Sequence, residues 1–160
     1  MRKILTSLVV GAAGLGLAVA PAAAASASGP ASLALPYPIC NSVVVNYQSG
    51  YPVPVPAYGT NQTCYMQQND GKVDTSSLRT MQTAINICYI QKGRLSRFGI
   101  TTPLSLASPD RYGPKTYAAV KAVQQWHGGI SADGGWGPET RRTMQWPDND
   151  TLTCRNVPLP

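Results

Sequence analysis

The chain has 160 residues, 43% of them hydrophobic and 12% charged, with 13 Lys and Arg against 7 Asp and Glu for a net charge of +6. Beyond Arg2-Lys3 at the start, the basic residues are scattered, with only Arg141 and Arg142 adjacent and Lys92, Arg94 and Arg97 loosely grouped, which excludes a nucleic-acid footprint. A single histidine, His127, excludes a His-rich zinc site, and the four cysteines contain no close Cys-x-x-Cys pair, so neither metal nor cofactor is expected.

Met1-Arg2-Lys3, an apolar run from Ile4 to Ala20 and the small residues Ala25-Ser26-Ala27 have the layout of a secretory signal peptide over residues 1–27. No basic stop-transfer flank follows the run, and no cysteine stands just after it to take a lipid. The expected product is exported, without a membrane anchor, and extracellular or cell-wall associated. Residues 28–39 read as a flexible leader. About 130 residues then remain, enough for one domain with one core.

Residues 40–68 predict a β cap. Ser42-Val43-Val44-Val45-Asn46-Tyr47 is β-branched and predicts a strand, and Gln48-Ser49-Gly50 a turn. Tyr51-Pro52-Val53-Pro54-Val55-Pro56 follows, whose prolines cannot donate to a ladder, so it is an edge strand or an extended chain. Thr63-Cys64-Tyr65-Met66 is expected to pair back as a third strand. Asn69-Asp70-Gly71 breaks the chain.

Asp74 or Thr75 can cap a first helix over Ser76 to Gln91, with Leu78, Met81, Ile85 and Cys88 along one face. Gly93 ends it, and Arg94 to Pro109, without a period, predicts a long loop. A second helix runs from Lys115 to His127, its buried face marked by Ala119, Ala122, Val123 and Trp126, and Gly128-Gly129 closes it. A short third helix spans Pro138 to Gln145 and stops at Trp146-Pro147. Residues 147–160 form a C-terminal tail.

Four cysteines in an exported chain predict two disulfides, for which three pairings are possible. Cys40 with Cys64 and Cys88 with Cys154 is the preferred set. The first would clip the β segment, and the second would tie the first helix to the tail.

One phrase occurs twice, on either side of the second helix: Asp110-Arg111-Tyr112-Gly113-Pro114-Lys115-Thr116, and Asp133-Gly134-Gly135-Trp136-Gly137-Pro138-Glu139-Thr140. Each combines an Asp able to turn back onto backbone N–H groups, an aromatic, a glycine expected at positive φ, and a Pro at the first helical position. Together with Met81-Gln82, Ala119-Val120, Val123-Gln124 and Ile130-Ser131-Ala132, these phrases resemble the bacterial peptidoglycan-binding domain of the three-helix type, found in cell-wall hydrolases and secreted actinobacterial proteins. The resemblance runs from Val73 to Gln145. Asp110-Arg111 stands where the family has Asp-Gly, and Val123 where it has an aromatic. The fold class implied is mainly α, a three-helix bundle over residues 73–146 with a small disulfide-clipped N-terminal β segment.

Reactive groups are sparse. His127 at a helix end and Glu139, the sole glutamate, in a first helical turn both suit the helix dipole, and no Gly-x-Ser-x-Gly elbow occurs. The chain therefore reads as no enzyme. Asp110 and Asp133 lack the alternating oxygens of a calcium loop and suit turns. Tyr112, Trp136 and Trp126 are expected in the core, with sugar stacking as the alternative for the first two, while Trp146 is expected to stay partly exposed.

The resemblance implies a non-catalytic secreted module binding cell-wall peptidoglycan, through glycan or stem peptide. Arg111, Tyr112, Gln124, Gln125, Trp136 and Arg141 are its plausible ligand-binding set, although Gln82 and Gln124 can instead hydrogen-bond backbone within the module. A second reading is a protein-interaction or inhibitor module whose working surface is Pro52 to Pro56 and the loop from Arg94 to Pro109. A small cell-wall hydrolase is the third.

Overall fold

The computed structural model describes residues 37–68, 73–107 and 111–158. The signal segment, most of the leader, the Asn69-Asp70-Gly71 break, and Pro109 and Asp110 lie outside the described residues. Strands β1 (Ser42–Gln48) and β2 (Tyr51–Ala57) form an antiparallel hairpin. Its two-residue turn, Ser49 at φ 53° and Gly50 at φ 86°, has the left-handed pair that matches strand twist. Pro52, Pro54 and Pro56 stand opposite Tyr47, Val45 and Val43. A proline ring has no N–H to give, so these three positions turn their backbone away from β1, and Val53 and Val55 between them fill the core.

Helix α1 (Thr75–Ile85) starts where the Asp74 carboxylate accepts the Ser77 N–H at 2.8 Å. It continues as a π-helical turn, Asn86–Ile90. The widening coincides with an anchor: the Asn86 side chain donates to the Leu104 carbonyl at 2.9 Å and accepts its N–H at 2.7 Å. The long loop is thereby pinned by its middle, with Leu95 and Leu104 buried and a short 3-10 turn at Ser96–Phe98. Helix α2 (Pro114–His127) and helix α3 (Pro138–Thr143) both have proline in their first turn after an extended glycine cap.

The mainly α expectation is corrected. The structure is 34% helical and 23% strand, with two small antiparallel sheets. The third helix ends at Thr143, and the chain turns extended at Met144 (ψ 150°) to enter β3 (Gln145–Pro147), which pairs with β4 (Cys154–Asn156). Trp146, expected to stay partly exposed, is wholly buried because the extended backbone drives it edge-on against Trp136, with ring centroids 5.9 Å apart. The third strand of the cap is corrected too. Met66 exchanges two 2.8 Å backbone hydrogen bonds with Trp136, and Tyr65 makes an isolated bridge to Ile39, so the segment joins the helical half and does not extend the hairpin.

One buried cluster unites the two halves, from Val53, Val55 and Met66 through Leu78, Met81 and Ile85 to Val120, Val123, Trp136 and Trp146. The disulfides are Cys40–Cys64 and Cys88–Cys154.

Asp148 organises the β3–β4 turn. Its carboxylate accepts N–H groups from Asp150 at 3.1 Å and Thr151 at 2.6 Å, and pairs with the Arg155 guanidinium at 2.8 Å. Burial alone would raise its pKa, but the Thr151 hydrogen bonds and Arg155 outweigh that and bring it down to about 2. A carboxylate with a lowered folded-state pKa contributes stability above the ordinary carboxylate range and loses it as pH falls toward 2. Asp148→Asn is accordingly expected to melt earlier than the parent at pH 7. The gap should close by about pH 2, as thermal melts across that range would record.

Candidate binding surface

The repeated phrase builds the same joint twice. Tyr112 and Trp136 are both buried, Gly113 and Gly137 both cap a helix in extended conformation, and Thr116 and Thr140 lie in the first turn of α2 and α3. A glutamine from the preceding helix closes each joint on that threonine: Gln82 Nε2 donates to Thr116 Oγ1 at 2.9 Å, and Gln124 Nε2 to Thr140 Oγ1 at 3.0 Å. Gln124 does more. Its Oε1 accepts the Gly134 N–H at 2.8 Å, and its Nε2 reaches the Gly135 carbonyl at 2.8 Å and Asp133 Oδ1 at 2.9 Å. Asp133 Oδ1 also accepts the Gly135 N–H at 2.9 Å, the turn expected of it. The Tyr112 hydroxyl donates to the Gly134 carbonyl at 2.7 Å, which ties the two phrases together.

The glycine that needs the left-handed region is Gly134 at φ 74°, not Gly137, whose φ of −139° any residue adopts. A Cβ on Gly134 would also collide with the Tyr117 ring, whereas nothing stands within 4 Å of one on Gly137. Gly134→Ala should therefore cost about 2 kcal/mol, with part recovered when Tyr117→Ala is added. Gly137→Ala should stay within about 0.5 kcal/mol. Denaturant titrations of the variants check both.

These joints consume most of the ligand set read from the sequence. Tyr112, Gln124, Trp136 and Arg141 are buried. Arg141 bonds to Gln62 of the β cap and approaches the Pro158 carbonyl at 3.4 Å; burial draws its pKa down to about 10, which leaves it cationic at neutral pH. The Tyr112 hydroxyl, the Gln124 amide and the terminal nitrogens of Arg141 bond within the fold, Trp136 Nε1 and Arg141 Nε are buried without a hydrogen-bond partner, and only Arg111 and Gln125 of the set reach the surface. Glu139 is exposed in the first turn of α3.

A surface hollow of about 520 Å³ opens at the other end of α2. It is lined by Trp126, His127, Arg142, Thr143, Gln145, Asn156 and Pro158. Trp126, expected in the core, is half-buried and forms one wall. The Arg94 guanidinium lies over its ring, 4.9 Å from the centroid, and is held there by the Gln145 side-chain oxygen. Below, the Tyr89 hydroxyl accepts the Gln145 N–H at 2.6 Å and faces His127 Nε2 at 2.8 Å. Burial pushes the Tyr89 pKa up, and burial followed by Arg94 pushes that of His127 down. Both shifts favour a protonated phenol donating to a neutral imidazole, which leaves Nδ1–H as the histidine's remaining donor.

Sequence reasoning missed this hollow. Its signal was a tryptophan and a histidine adjacent at a helix end, but Arg142 with Gln145, Asn156 and the Arg94 that covers Trp126 come from three separate segments that no periodicity brings together.

The structure thus defines a disulfide-bonded α+β scaffold with rigid polar joints and one open aromatic and cationic hollow. Residues 90–144, from the π-helical turn to the end of α3, match the family described as "Putative peptidoglycan binding domain". No curated protein and no solved structure matches the chain. Among the described residues no three metal-ligating side chains come together, and no helix is long and apolar enough to cross a membrane.

Proposed function

We propose that this protein is an exported, non-catalytic module that attaches to bacterial cell-wall peptidoglycan, with the hollow beside Trp126 as its contact surface. The family match over residues 90–144 carries this reading. The two disulfides agree with an oxidising compartment outside the cytoplasm. An aromatic wall, guanidinium groups and side-chain amides are the chemistry that meets sugar rings, acetamido groups and peptide carboxylates. His127 is held by Tyr89 beside Arg94, an arrangement suited to orienting the hollow's wall.

Purified sacculi incubated with the chain lacking residues 1–27 are expected to retain it in the pellet at low salt and at about 0.5 M salt, because screening removes loose charge attraction first. Trp126→Ala should weaken retention about tenfold. Retention no greater than that of an unrelated protein of equal charge would overturn the reading.

A further inference from the structure

We infer that the hollow takes the free carboxylate end of a peptide, so that the wall component recognised is the stem peptide and not the glycan strand. The inference rests on the wall-binding reading and names its ligand.

The groups facing the hollow are unevenly matched. Arg142 on α3 contributes the guanidinium that lines the hollow, while Arg94 lies outside the lining, over the Trp126 ring. No carboxylate lines the space, and the only ion pair among the described residues is Arg155–Asp148, so neither arginine is neutralised by an acid there. Gln145 spends its oxygen on Arg94, which leaves its amide N–H groups as donors, and His127 and Asn156 can add others. A surface of donors with little to accept a proton suits an acceptor-only group. An ionised carboxylate is such a group, and a guanidinium can grip it by two parallel hydrogen bonds. Sugar hydroxyls and acetamido groups both donate and accept, and would find only the Asn156 side-chain oxygen and the Thr143 hydroxyl to receive their own donors here. Trp126, Pro158 and the Thr143 methyl supply an apolar wall for a small side chain next to that carboxylate.

Calorimetric titration of the chain lacking residues 1–27 with Nα,Nε-diacetyl-L-Lys-D-Ala-D-Ala, with its C-terminal amide and with an N-acetylglucosamine tetramer tests this. The acid should bind, the amide should bind at least about tenfold more weakly, and the tetramer should give no heat. Arg142 is exposed, so Arg142→Gln should fold normally and weaken the acid about tenfold while leaving the amide unchanged. Inorganic phosphate, run as a competitor, separates carboxylate recognition from general anion capture and should displace the peptide poorly. Equal binding of acid and amide, displacement by phosphate at equal concentration, or glycan alone releasing the protein from sacculi would overturn the inference while leaving wall attachment intact. No retention on sacculi together with acid-selective peptide binding would instead overturn the wall reading and keep the carboxylate site.

Discussion

Removing the Cys88–Cys154 disulfide by a double change to alanine is expected to lower the unfolding free energy by about 4 kcal/mol. The bridge joins the π-helical turn after α1 to β4 across a sequence separation of 66, against 24 for Cys40–Cys64. Loop closure in the unfolded chain scales with the logarithm of loop length, so losing the shorter bridge should cost about 1 kcal/mol less. The longer loop encloses α2, α3 and β3, which supply Trp126, His127, Arg142, Thr143 and Gln145 of the hollow. Urea titrations of the two double-alanine proteins check the ranking. A larger loss from Cys40/Cys64 would show that native-state packing around the cap, and not chain entropy, sets the order.

Gln124→Ala is expected to cost about 3 kcal/mol. Its amide is 2% exposed and answers the Gly134 N–H and the Gly135 carbonyl as well as Asp133 and Thr140. Alanine leaves those backbone groups under a buried roof without their partner, and adds a cavity. In a domain of this size the loss corresponds to a fall in Tm of about 10 °C. Gln82→Ala, whose amide meets only Thr116 on the equivalent joint, should cost about half as much. Calorimetric melts of both variants would measure the asymmetry, and equal losses would mean that the backbone contacts of Gln124 contribute little.

The twin phrases were legible because turn chemistry is local. Asp133, Pro114 and Pro138 do what their residue types dictate within a few positions, and the buried stripe of α2 follows helical spacing. The hairpin was legible for the same reason, with β-branched residues before Ser49-Gly50 and alternating prolines after. Apart from the disulfide pairing, what escaped was decided by distant partners. Gln145-Trp146-Pro147 looks like a helix stop, and only the pairing with Cys154-Arg155-Asn156 across the Asp148 turn makes it a strand. Trp126 and Trp146 exchange their expected places because burial is settled by what lies opposite, Arg94 and open solvent for one and Trp136 for the other. Gly134 and Gly137 both offer freedom of φ, but the first alone needs it, since Gln124 draws its N–H inward.

The prolines of β2 carry a further consequence. A strand margin with free amide hydrogens and carbonyls ordinarily invites another chain to zip onto it. Along this margin, positions 52, 54 and 56 offer carbonyls without amide hydrogens, and the Pro52 carbonyl is already taken by the Asn149 N–H at 2.9 Å. Two such margins brought face to face have oxygens confronting oxygens. The hairpin is thus self-terminating on that side, and fibrillar stacking through β2 is closed to it by covalent structure.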